Sequence, residues 1–231
     1  MATLLLIHPL GGTPRFWDAC RTVWETQHHC LTYDWSGAEA VGEDLSLLPN
    51  AERIEALRRE SGRDVVVVGV AVGAMIAAVY AARHPDHVAG LVLSNPAVVL
   101  APASRGVTEA RVERVRKGGI AAILPEVVDR AFNGMPHAAD YEKYLAEFAG
   151  NDPRAYEKNA LAALAMDIGE DLPRIACPTL VIAGEKDILL PPVEAERVAA
   201  AIPHAGYVSL AAAHFPPIQM SAAFAARGRP G

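Results

Sequence analysis

A chain of 231 residues, set against about 150 residues per domain, has room for one large unit with an insertion rather than two independent domains. Its hydrophobic content of 52 %, in a chain long enough to bury roughly 70–75 % of its unfolded surface, excludes the small scaffolds that depend on disulfide or metal staples. Lys+Arg 21 against Asp+Glu 27 gives a formal charge of −6 with the basic residues scattered, which makes nucleic acid and anionic membrane surfaces poor partners.

Met1 to His8 has no basic n-region and only a short apolar run before a Pro/Gly turn, so it reads as a strand, Thr3–His8, and not as a signal peptide. Further strands are expected near Leu31–Asp34, Val65–Gly69, Val88–Ser94, Thr179–Ala183 and Gly206–Leu210. They alternate with helices near Ala51–Glu60, Val72–Arg83, Pro192–Ala201 and Phe215–Ala226, the signature of an α/β architecture: a mostly parallel sheet of about six strands flanked by helices. Strands covered on both faces read as continuous apolar runs, as these do. Val65 to Ala82 carries no charge, and Gly69 and Gly73 have the spacing of a membrane-helix pair. Its first residues are β-branched, however, and helix formers appear only after Gly73, so the segment is a buried strand, a turn and a buried helix. Between Pro102 and Cys177 the rhythm breaks into candidate helices at Glu109–Lys117, Ile120–Phe132, Asp140–Gly150 and Pro153–Asp167. This is a helical insertion, a cap over residues 102–177, placed over the carboxyl edge of a core made of 1–101 and 178–231.

Cys20, Cys30 and Cys177 are too few and too irregularly spaced for a disulfide framework, which points to a reducing cytoplasm. His28-His29-Cys30 lacks a second ligand cluster at matching spacing, so no metal is expected, nor any other cofactor. A monomer or homodimer acting on a small molecule fits this composition.

The stretch richest in chemistry is Val65-Val-Val-Val-Gly69-Val70-Ala71-Val72-Gly73. A strand running into Gly-x-Xaa-x-Gly and straight into a helix is the setting of a nucleophile elbow, where two glycines permit a turn so tight that the middle residue projects alone above the sheet. Together with Leu4-Leu-Leu-Ile-His-Pro-Leu-Gly-Gly-Thr13, Phe16-Trp17, Arg83 to Asn95, Arg116-Lys-Gly-Gly-Ile120, Cys177 to Asp187 and His214, it makes the chain resemble the α/β-hydrolase family, and within it the 3-oxoadipate enol-lactonase-like branch. The resemblance implies an acid at Asp187 in the Gly184-Glu-Lys-Asp187 turn and a general base at His214, in the chain order usual for that fold. It also implies an oxyanion hole from the backbone N–H groups of Leu10 and Val72, even though Pro9 stands where the family usually has glycine. The short Trp35-Ser36-Gly37 connection, in place of a longer family loop, weakens any transfer of substrate from that branch.

At the family's serine position the chain has Ala71. A methyl group cannot attack a carbonyl, so no acyl-enzyme is expected from this sequence. Either a serine hydrolase of a small ester or lactone has been inactivated by a Ser-to-Ala change, or the chain is a natural homologue that binds without cutting, or it is a cofactor-free, non-hydrolytic enzyme that uses only the His214–Asp187 pair. Persistence of the acid, the histidine and both oxyanion positions favours the first. Trp17, Phe132, Met135, Tyr141, Tyr144 and Phe148 are the apolar candidates to line the substrate pocket, which would then suit a neutral ester or lactone; Arg105, Arg130 and Lys143 are the cations that could add charge.

Overall fold

A computed structural model describes residues 1–37, 42 and 44–228. Six parallel strands, β1 (Thr3–Ile7), β2 (His29–Tyr33), β3 (Val65–Val70), β4 (Val88–Ser94), β5 (Thr179–Gly184) and β6 (Gly206–Leu210), form one sheet in the order β2-β1-β3-β4-β5-β6. Alternate residues of each strand enter different cores, because successive side chains point to opposite faces. Leu4, Leu6, Val66, Val68, Val92 and Ile182 join one cluster, and Leu5, Ile7, Val65, Val67, Leu91 and Val181 the other. The second face is covered by α2 (Leu47–Ser61), α3 (Val72–Arg83) and α8 (Pro192–Ala201). The first carries α1 (Asp18–Trp24) and α10 (Ser221–Arg227), together with α4 (Pro102–Gly118), α5 (Glu126–Ala131), α6 (Ala139–Ala149) and α7 (Pro153–Leu164), which lie between β4 and β5 in the chain. No helix among the described residues is long and apolar enough to cross a membrane, and Val65 to Ala82 divides into β3 and α3.

Prolines account for most of the differences from the expected helices. The helix expected at Ile120–Phe132 is interrupted at Pro125, with a 3-10 turn at Ile120–Ile123 before it and α5 after it. The one expected at Phe215–Ala226 becomes α9 (Pro216–Gln219) and α10, separated at Met220. Conversely, Pro102 opens α4 a full two turns before Glu109, and Pro49 sits in the first turn of α2, where its missing N–H has no helical partner to lose. Helix α1 was not expected at all. Thr13, whose hydroxyl accepts from the Arg15 N–H at 3.2 Å, and Pro14 start the 3-10 turn that leads into it.

Away from the site, Glu55 on α2 is buried and accepts from Arg58 Nε at 2.8 Å, Arg59 Nε at 2.9 Å and the Tyr80 hydroxyl at 2.9 Å. The Arg58 hydrogen bonds hold its carboxyl down, from 4.5 to about 2, against the opposing effect of burial. Because the folded-state value is depressed, this stabilisation is complete above the unfolded glutamate value and is lost as pH falls toward the folded one. Glu55→Gln is therefore expected to lower stability at neutral pH by about 3 kcal/mol. It should also flatten the acid side of a stability-against-pH curve measured by urea unfolding.

Candidate active site

The ends of β1, β3, β4, β5 and β6 supply the site. β3 ends at Val70, α3 begins at Val72, and Ala71 between them is held at φ 52°, ψ −117°, a backbone region that costs a residue with a β-carbon about 1–3 kcal/mol. Its N–H donates to Ser94 O at 2.9 Å and its carbonyl accepts from Ala74 and Met75, which fixes the turn from both sides. The flanking glycines are required by contact. A β-carbon on Gly69 would strike the Gly73 carbonyl, and one on Gly73 would stand 2.5 Å from the carbonyl oxygens of both Ile7 and His8. As the first residue of α3, Val72 has no helical acceptor for its N–H.

The loop after β1 is held by a network the sequence reading did not assemble. The buried ring of His8 lies between Pro9 O at 2.9 Å and Asp34 Oδ1 at 3.1 Å, and Trp35 Nε1 donates to His8 O at 2.9 Å. Asp34 Oδ1 also accepts from the Ser36 N–H at 2.9 Å, while the Ser36 hydroxyl lies 2.9 Å from Gly12 O. Partial burial pushes the Asp34 carboxyl up, but the bonds from His8 and Ser36 outweigh it and leave it at about 2. The short Trp35-Ser36 connection thus anchors the turn that presents Leu10.

After β5, the turn to Asp187 passes so close to the last loop that a β-carbon on Gly184 would collide with Ala213 O. Asp187 is buried, with four donors on its carboxylate. Leu189 and Leu190 N–H reach Oδ1 at 2.8 and 3.0 Å, while His214 Nδ1 and Asn95 Nδ2 reach Oδ2 at 2.7 and 2.6 Å. Burial raises the carboxyl's pKa; the His214 charge and these hydrogen bonds more than reverse that and hold it below the usual range. Gln219 fastens the histidine loop, its Oε1 accepting from Ala213 N at 2.7 Å and its Nε2 donating to Ala131 O at 3.0 Å. With Nδ1 committed to Asp187, the other ring nitrogen of His214 is left for whatever enters the cavity.

Asn95 was not singled out beforehand. It follows β4 directly with φ 48°, and asparagine is among the few residues that tolerate this conformation. That Asn at a strand's C-terminal end was the available signal. In a form carrying a nucleophile, Asn95→Ala is expected to lower kcat about tenfold with little change in KM, read from steady-state kinetics, since it removes one of two bonds aligning Oδ2.

Leu10, Ala71, Val72 and His214 all stand on the wall of one cavity of about 290 Å³, which Arg111, Arg130, Tyr144, Phe148 and Tyr156 from α4 to α7 also line. Of the six side chains expected to line the pocket, Tyr144 and Phe148 are on that wall and four are behind it. Trp17 is fully buried against Trp24 and Phe224, with ring centroids at 6.2 and 6.4 Å. Phe132 packs against Tyr144 and Phe215, Met135 packs against the same cluster, and Tyr141 gives its hydroxyl to Asp129 at 2.5 Å. Large apolar side chains fill the layer under the cavity, where they bury more surface than at its wall. Of the cations, Arg130 reaches the wall; Arg105 donates to Leu164 O at 2.8 Å and Lys143 pairs with Asp18 at 2.8 Å. Arg111 and Tyr156 were not foreseen. Among the described residues no three His, Cys, Asp or Glu side chains gather to hold a metal.

Comparison with known proteins agrees with this fold. The chain is 30 % identical over 228 residues to a putative carbamate hydrolase RutD of Pseudomonas syringae, covering 90 % of this chain and 84 % of the relative. A protein of the same description from Klebsiella pneumoniae is 29 % identical over 216 residues, covering 84 % of this chain and 77 % of the relative. Among solved structures, the enol-lactonase from Burkholderia xenovorans superposes with a TM-score of 0.89 at 24 % identity, over 98 % of this chain and 89 % of the other. A thermophilic esterase from Thermogutta terrifontis gives 0.85 at 25 % identity, over 98 % and 88 %. The sequence model of the alpha/beta hydrolase family matches residues 4–227, and with the parallel sheet, the elbow and the buried acid–histidine pair it establishes that the chain belongs to that family.

Proposed function

We propose that the cavity receives a small ester, lactone or related acyl compound, with the carbonyl carbon over residue 71 and the carbonyl oxygen between the N–H groups of Leu10 and Val72. The observation that carries this reading is the buried Asp187–His214 pair, at 2.7 Å, opening on the same cavity as a strained Ala71. Backbone strain at a methyl-bearing residue gains nothing by itself and is expected where a site demands it. In a serine counterpart the hydroxyl oxygen attacks the carbonyl while His214 takes its proton; the tetrahedral oxyanion is held by the two N–H groups and collapses, and the leaving alcohol recovers the proton. Water then repeats the sequence on the acyl-enzyme. The chain with Ala71 is the inactivated form of that machine, with α4 to α7 serving as its cap. The names of the relatives, carbamate hydrolase, enol-lactonase and esterase, all denote cleavage beside an acyl carbon, which supports the reaction class.

A second reading is favoured by retention of the whole acid–histidine pair. With no hydroxyl on residue 71, His214 can take a proton from a water that attacks the carbonyl directly, giving slow hydrolysis without an acyl-enzyme. Labelling of the Ala71→Ser protein with a fluorophosphonate, beside turnover by the Ala71 chain and by its His214→Ala variant, separates the readings. Labelling supports the serine-hydrolase site, and turnover by the Ala71 chain that disappears with His214 supports the water route. Neither, in a folded protein, leaves a chain that binds without cutting.

A further inference from the structure

The cavity wall carries two guanidinium groups, Arg111 from α4 and Arg130 from α5, and no Asp or Glu. The acidic side chains nearby are committed elsewhere. Glu126 accepts from Arg114 at 2.6 Å, Asp129 from the Tyr141 hydroxyl at 2.5 Å and Glu157 from Arg116 at 2.6 Å. Among the described residues neither Arg111 nor Arg130 makes an ion pair; Glu126 feels the charge of both, but its carboxylate is bonded to Arg114. Arg111 Nη1 has only the Tyr156 hydroxyl, at 3.5 Å, and Arg130 Nε is buried without any acceptor. Beside them the hydroxyl of Tyr144, a residue 2 % exposed and on the same wall, is also buried without a partner. Buried donors without acceptors are costly, and guanidinium groups are suited by geometry to a planar carboxylate. Two guanidinium groups on one cavity wall, with no Asp or Glu beside them on that wall among the described residues, bring positive charge to where a ligand would sit in a chain whose net charge is −6.

We infer that the end of the cavity formed by α4 and α5 is a carboxylate subsite, in which Arg111, Arg130 and the Tyr144 hydroxyl hold an anionic group on the same molecule whose carbonyl is presented to Ala71 and His214. The preferred ligand is then a short acyl compound bearing a negative charge, not the neutral ester that an apolar wall would suit. This inference rests on the carbonyl site proposed above. The volume, about 290 Å³, is at the small end of ligand pockets, which restricts the anion and the carbonyl to a short connecting chain.

The test is calorimetric titration of the protein as it stands, with Ala71 in place, by monomethyl succinate and by dimethyl succinate. The half-ester is expected to bind about tenfold more tightly or better, with the preference reduced by added salt. Arg111→Met and Arg130→Met should each remove most of that preference while leaving diester binding within about twofold, and Arg111→Lys should keep part of it. Thermal melts establish that the variants are folded. Equal binding of the two esters, or a preference that survives in both Met variants, overturns the subsite. If the half-ester binds through both arginines but the Ala71→Ser protein turns over neither ester, the subsite stands and the hydrolase reading falls. If that protein hydrolyses both esters equally and the arginine variants change nothing, the hydrolase reading stands and the subsite falls.

Discussion

Ala71→Ser is expected to raise hydrolysis of a small activated ester by about 10⁴-fold or more over the Ala71 chain, measured as kcat/KM, with a burst of leaving group that marks the acyl-enzyme. The size follows from what is already in place. Residue 71 holds the turn conformation, Val72 opens a helix beside it, and His214 is tied through Nδ1 to a carboxylate with three further donors. The substitution adds one oxygen to an organised site. In that background His214→Ala should return the rate nearly to that of the Ala71 chain, and Asp187→Asn should cost about 10⁴-fold, because an amide at that position favours the wrong imidazole tautomer. Asp187 is held below the usual carboxylate range, so its charge, and with it the alignment of His214, persists to lower pH than for an ordinary aspartate. A folded Ala71→Ser protein without burst or turnover would sink the serine-hydrolase reading.

The sheet and the candidate machinery were legible because both are written locally. A run such as Val65 to Val68 can only be a strand buried on both faces, and the Gly69 to Gly73 spacing answers to contacts with backbone atoms a few residues away or on the adjoining strand. The turn to Asp187 is of the same kind. The pocket wall was legible only in part, at Tyr144, Phe148 and Arg130, because the rest depends on which side of each helix between β4 and β5 turns inward, and tertiary packing decides that. Trp17, Phe132 and Tyr141 are as apolar and aromatic as Tyr144, yet they occupy the layer beneath it. Arg111 sits in a mixed-charge run, Arg111 to Lys117, in which nothing in the sequence distinguishes it from Arg114 and Arg116. Only the fold shows Arg114 and Arg116 taking the acidic partners and Arg111 left facing the cavity. The prolines at 125, 216 and 217 could have been used more strictly, since each marks the interruption or restart of a helix.

Gly73→Ala is the smallest change expected to damage both fold and site. Its β-carbon would stand 2.5 Å from the carbonyl oxygens of Ile7 and His8 and 3.0 Å from Ile7 C, all backbone atoms at the end of β1. That strand cannot retreat easily, for it is paired on both sides, to β2 and to β3, and His8 O already accepts from Trp35 Nε1 at 2.9 Å. Helix α3 must therefore lift by about 1 Å to restore ordinary contact, an overpacking cost near the upper end of about 1–3 kcal/mol. For a chain of this size that lowers Tm by about 6–12 °C. The same displacement carries the Val72 N–H away from Leu10, and a misplacement of about 1 Å can cost about 10²-fold in rate. Measured in the Ala71→Ser background, Gly73→Ala should then lower kcat more than it raises KM. Gly106→Ala is the control. That glycine lies within α4, where an added β-carbon meets nothing, and the change should hold or raise Tm because alanine is the better helix former. If Gly73→Ala matches Gly106→Ala in both Tm and kcat, the close approach of α3 to β1 is not what sets the elbow.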